Sequence, residues 1–171
     1  MTLNDGILID KFSIDNLPND ILKGIYQYWL DMKGDRIMPS RADLHPADIV
    51  RLLPNISLID VEPKTHRYRM RLVGSETVRA MDKDITGKYL DELPEIERHL
   101  KERYDWIVRQ KRPYYISDKL LWSKKSFLTY YSVGLPLSND GQNVDIIMFG
   151  SYYHLAHEEQ KEFPAASSGT T

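Results

Sequence analysis

From Arg67 to Val73 the chain reads RYRMRLV, with Tyr68, Met70 and Leu72 alternating against Arg67, Arg69 and Arg71. A period of two puts the two sets on opposite faces of a strand, and Gly74 marks the turn that ends it. Strand patterning also covers residues 55–61 before it and residues 114–122, 127–137 and 143–155 after it. Pro63 to Thr65 turns the first strand into the second, and Asp140-Gly141 lies in the loop before the fifth. Consecutive strands joined by short turns pair antiparallel, because a parallel crossover needs a dozen or more residues.

Helical spacing replaces the alternation elsewhere. Ile21, Leu22, Ile25, Tyr26, Tyr28, Trp29 and Met32 make a broad apolar face on a helix over 19–33, capped by Asn19 or Asp20 and ended by Gly34. That face either packs on its own domain or forms a dimer seam. A short helix, PADIVRLL, starts at Pro46 with Asp43 upstream as its cap and stops before Pro54. Ser75 can cap another short helix through Thr77, Val78, Ala80 and Met81, which Asp84-Ile85-Thr86-Gly87 terminates. The longest pattern places Ile96, Leu100, Tyr104, Trp106 and Ile107 on a helix between Pro94 and Arg112. Residues 16–157 then form one domain, with 1–15 an N-terminal arm and 158–171 a flexible tail.

With 171 residues, 42% of them hydrophobic and 11% aromatic, the chain is large enough to bury a core of its own. Its formal charge of -2 provides no field that would draw it onto nucleic acid or anionic lipid. No apolar run approaches the roughly 20 residues of a membrane span, and the start MTLNDG lacks the basic and apolar parts of a signal peptide, so a cytoplasmic location is expected. The absence of cysteine excludes disulfides, thiolate-based zinc sites and a thiolate nucleophile.

Four motifs in order carry a resemblance: Trp29, then Pro39-Ser40-Arg41-Ala42-Asp43-Leu44-His45-Pro46, then Arg71-Leu72-Val73-Gly74, then Thr86-Gly87. They resemble the bacterial single-domain PAS family common in alphaproteobacteria, and the likeness runs from the first helix to the last strand. It implies an α+β domain with a five-stranded antiparallel sheet in the order 2-1-5-4-3. Short helices and one long helix would lie on one face, and the N-terminal helix would flank them. It further implies a stand-alone sensory or interaction module that signals by binding a small ligand, a regulatory protein partner, or both. A homodimer through the N-terminal helix or the sheet face would fit that role. Without cysteine, neither the flavin adduct nor the coumarate attachment of other PAS sensors can form, so no ligand is held through cysteine and a non-covalent one is left open.

The cavity expected in such a fold would take Tyr68, Met70 and Leu72 from the second strand and Val78 and Met81 from the short helix. Tyr104 and Ile107 would come from the long helix, and Tyr130, Met148 and Tyr152 from the later strands. Met70 stands where the family often has an aromatic residue, so the lining differs here. His99 holds the position of the haem ligand in haem-binding PAS sensors, yet Arg98 and Lys101 neighbour it and its phase leaves the apolar stripe, which favours a solvent-facing role.

Other residues keep open readings. Arg41 and Asp43 suggest an anion site, or Arg41 pairs with a carboxylate or a helix-end carbonyl. The row Arg67, Arg69 and Arg71 is either solvated beside acids such as Asp60 or grips an acidic partner or a phosphate. His154 and His157 have no further acid or histidine at a telling spacing, so no metal is expected. The alternative function is a small cone-shaped α+β enzyme of isomerase or dehydratase type, which needs a carboxylate or imidazole base in the cavity; no convincing pair stands out.

Overall fold

A computed structural model describes residues 8–125 and 128–155. Strands β1 (Ile56–Val61), β2 (Tyr68–Leu72), β3 (Tyr114–Lys119), β4 (Leu128–Leu137) and β5 (Ile146–Leu155) form one antiparallel sheet in the order β2-β1-β5-β4-β3. The expected α+β fold and strand order are both present. Ile9 adds a short bridge at the β3 edge, exchanging hydrogen bonds with Tyr115 at 2.9 and 2.8 Å.

Helices cover both faces of this sheet. Helix α1 (Asp20–Lys33) is capped by Asn19, whose side chain accepts from the Leu22 amide at 3.0 Å, and ends at Gly34 with φ 56°. It buries Leu22, Ile25 and Trp29 against the face that carries Val133, Leu135, Ile146 and Met148. Trp29 Nε1 donates to the Pro136 carbonyl at 2.9 Å. The approach is close at Gly150, where an added Cβ would lie 2.9 Å from Ile25. The apolar face of α1 is therefore spent on its own sheet, as the first of its two readings held. Helix α1 and residues 44–53 cover much of the sheet face expected as a pairing surface, while Leu72 on that face stays 43% exposed.

Helices α2 (Ser75–Met81) and α3 (Pro94–Gln110) lie over the other face. Three local details differ from expectation. Ser75 is the first residue of α2 and not its cap; Gly74 precedes it and donates its amide to Ser57 Oγ at 3.1 Å. The segment after Pro46 is two short 3-10 turns, Pro46–Ile49 and Leu53–Asn55, the second of which contains Pro54, and not one continuous helix. Asp43 caps its own turn by accepting from the Ser40 amide at 2.8 Å and so is not the cap of the next one. Helix α3 starts on Pro94 and ends at Gln110, two residues before Arg112, with Lys111 at φ 57° as its cap.

Candidate functional site

Between the sheet and helices α2 and α3 lies a cavity of about 70 Å³. Alternate residues of each strand face it: Ser57 and Ile59 from β1, Met70 from β2, Tyr114 and Ile116 from β3, Tyr130 and Ser132 from β4, and Phe149, Ser151 and Tyr153 from β5. Thr77 and Met81 of α2 close one side, and Ile96, Leu100, Arg103 and Tyr104 of α3 close another.

Arg103 is the chemical exception in this wall. Its side chain is 2% exposed, Nη1 donates to the Tyr130 hydroxyl, and Nη2 lies 3.3 Å from Asp118. The Trp122 ring sits 5.9 Å from the guanidinium carbon. An arginine remains charged even when buried, so this ion pair places a fixed cation beside a space otherwise lined by neutral side chains. The cavity hydroxyls meet in pairs, Ser132 with Ser151 at 3.2 Å and Thr77 with Tyr153 at 3.0 Å. Burial pushes the Tyr104, Tyr114 and Tyr130 phenols above their ordinary range, so they stay neutral donors near neutral pH. Among the described residues that line it there is no carboxylate and no histidine.

Of the residues expected in the cavity, Met70, Met81, Tyr104 and Tyr130 line it. Tyr68 and Ile107 are buried in the same core just beyond it; Tyr68 meets Tyr104 edge-on at 5.2 Å and donates to Asp105 at 2.5 Å. Val78 is half-buried on α2 and turned away, because Thr77 and Met81 take the inward positions. Leu72, Met148 and Tyr152 need correction, since all three lie on the opposite face.

Two causes separate these three residues from the cavity. The β1–β2 register pairs Ile59 with Met70 but Leu58 with Leu72, so Arg71 is an extra residue and the bulge turns Leu72 over. In β5, Ile147, Met148 and Phe149 are all apolar, and a strand buried on both faces has no alternation to reveal its phase. Phe149, Ser151 and Tyr153 therefore stand where Met148 and Tyr152 were expected. Arg103 was overlooked although Ile96, Leu100, Arg103 and Ile107 are spaced by four, three and four. Its place in that stripe was the available signal.

Other candidates lie outside the cavity. His99 is half-buried with its ring 5.7 Å from Trp122, and it does not reach the cavity wall. Arg67 binds Asp91 through two bonds of 2.7 and 2.9 Å while lying over Tyr89, and Arg71 pairs with Asp60 at 2.9 Å. These two members of the arginine row thus sit beside acids. His154 lies edge-on to Tyr131 at 5.6 Å, and His157 falls outside the described residues. Among the described residues no group of three metal-binding side chains converges.

A five-stranded 2-1-5-4-3 sheet holding a helix-walled cavity matches what the sequence motifs imply, and residues 19–147, well over half of the chain, match the PAS domain family. This chain belongs to the PAS family. No curated protein matches it. Among the described residues of this PAS domain no helix is long and apolar enough to cross a membrane. The cavity lies between sheet and helices, so a molecule held there would touch β1, β5, α2 and α3 at once.

Proposed function

We propose that this PAS domain is a regulatory sensing module that takes a small molecule into the cavity and passes its occupancy to a protein partner through α2. Arg103 carries the reading, because a buried guanidinium in a wall of Ile59, Met70 and Phe149 selects a compact ligand with an acceptor group at one end and apolar atoms at the other. The size of the cavity limits the ligand. Water occupies about 30 Å³ in the liquid, so about 70 Å³ holds only a few non-hydrogen atoms as the walls stand. A larger ligand must displace α2, the shortest helix over the cavity, and that displacement is the output. A ligand biases such a shift only by its differential affinity for the two positions.

Native mass spectrometry before and after denaturation, an absorption spectrum, and an NMR fragment screen of the emptied protein test this reading. Support would be a molecule bound one per chain that slows amide exchange in α2. The proposal fails if ligands never perturb Met70, Met81 or Phe149, or if occupancy leaves α2 exchange unchanged.

A further inference from the structure

A second concavity, of about 440 Å³, lies on the opposite side of the sheet, where the Pro46–Ile49 turn and Pro54 approach β1 and the end of β2. Leu44, Ile49, Leu53, Leu58 and Leu72 form its walls, and only Val73 is shared with the internal cavity. The bulge at Arg71 that removes Leu72 from the cavity delivers it here. Val50 is 64% exposed and Leu72 43% exposed, two of the few large apolar side chains left open to solvent.

Among the described residues, Arg41 is the only charged one lining this groove. Its Nη1 donates to the Leu44 carbonyl at 3.3 Å, which fits the helix-end pairing expected for it, but its Nε is shielded from solvent and finds no acceptor. Among the described residues no carboxylate lies within ion-pair distance of Arg41. The nearest in sequence, Asp43, is engaged by Arg36 at 2.8 Å and by Ser40. With no carboxylate beside it, the Arg41 guanidinium is an unneutralised cation at an otherwise apolar groove, and the charge of a carboxylate head complements it.

We propose that this groove binds a single-chain amphiphilic carboxylate, with its head on Arg41 and its hydrocarbon along Leu44, Ile49, Leu58 and Leu72. The volume lies within the range of small-molecule sites, whereas the internal cavity is several-fold smaller. A compact anion such as phosphate would leave the apolar walls unused. An extended peptide would bring backbone groups that walls of leucine, isoleucine and proline cannot satisfy. The inference does not rest on the cavity ligand.

Decanoate and decanol, which share a hydrocarbon chain and differ in charge, are titrated below their aggregation limits into the full chain by calorimetry and NMR. Expected is one saturable decanoate site, roughly ten- to hundredfold tighter than decanol, with shifts at Leu58, Leu72 and Val50. Arg41→Gln should bring decanoate down to the decanol level. Val50→Asp, at an exposed position that leaves the fold alone, should weaken decanoate by like-charge repulsion. Equal affinity for the two probes, no saturable site, or shifts confined to Met70, Met81 and Phe149 would overturn the assignment. A mass by light scattering that doubles with concentration, and returns to one chain in Val50→Asp, would give the groove to a second copy instead.

Discussion

Arg103→Met deletes a buried cation while keeping much of the side chain's length and apolar bulk. Breaking a buried ion pair by removing one partner costs about 3–5 kcal/mol when the survivor stays dry. Here the survivor is Asp118, whose side chain is 18% exposed and so can recruit water, while Tyr130 loses its cationic donor. The expected loss is therefore lower, about 2–3 kcal/mol, or roughly 4–12 °C in Tm for a domain of this size. Urea unfolding at neutral pH, followed by tryptophan fluorescence and circular dichroism, measures it. A cycle with Asp118→Asn should show the double variant less destabilised than the two single losses combined, by about 1–2 kcal/mol. Arg103→Met should also abolish preference for ligands with an acceptor group in the cavity. An unchanged urea midpoint, or additive single variants, would mean that Asp118 and Tyr130 do not hold the guanidinium, and the polar end of the cavity would be lost with it.

Gly74→Ala tests the glycine of the RLVG motif. Its φ of -60° suits any residue, but a Cβ there would lie 2.5 Å from the Pro54 carbonyl oxygen and 2.7 Å from that of Ile56, both backbone atoms with little room to yield. Calorimetry should show a loss of at least about 1–3 kcal/mol, against about 1 kcal/mol for Gly87→Ala, where φ is +84° and nothing lies within 4 Å; equal losses would dismiss the close-approach argument. Alkaline titration tests the buried phenols of Tyr104, Tyr114 and Tyr130, whose pKa values burial raises in the folded state. Their contribution is complete below the unfolded value of about 10 and declines as pH rises from there toward the folded values, by up to about 1.4 kcal/mol per ring per pH unit. The share of the 295 nm absorbance that these three of the 11 tyrosines supply should therefore rise in one step together with the loss of near-ultraviolet dichroism. Ionisation of all 11 tyrosines with the fold intact would contradict it.

Periodicity is local, and so what it encodes was open to reading from the chain alone. The two-residue alternation at Tyr68 and Met70, the helical spacing from Ile21 to Trp29, and the stop at Gly34 identify strands and helices without reference to any neighbour. The four motifs then point to the PAS arrangement of those elements. Facing is a different kind of fact. Residues 146–149 are apolar at every position, so only the pairing of Ser57 with Phe149 decides that Phe149 looks into the cavity and Met148 toward α1. The bulge at Arg71 turns over Leu72, although its alternation with Met70 is perfect in the sequence. Arg103 reads as one charge among many on α3, and its role appears only when β3 and β4 bring Asp118 and Tyr130 to it across fifteen and twenty-seven residues. A strand or helix is specified by neighbours a few positions away, whereas a cavity or a groove is made of side chains whose proximity exists only once the sheet has closed.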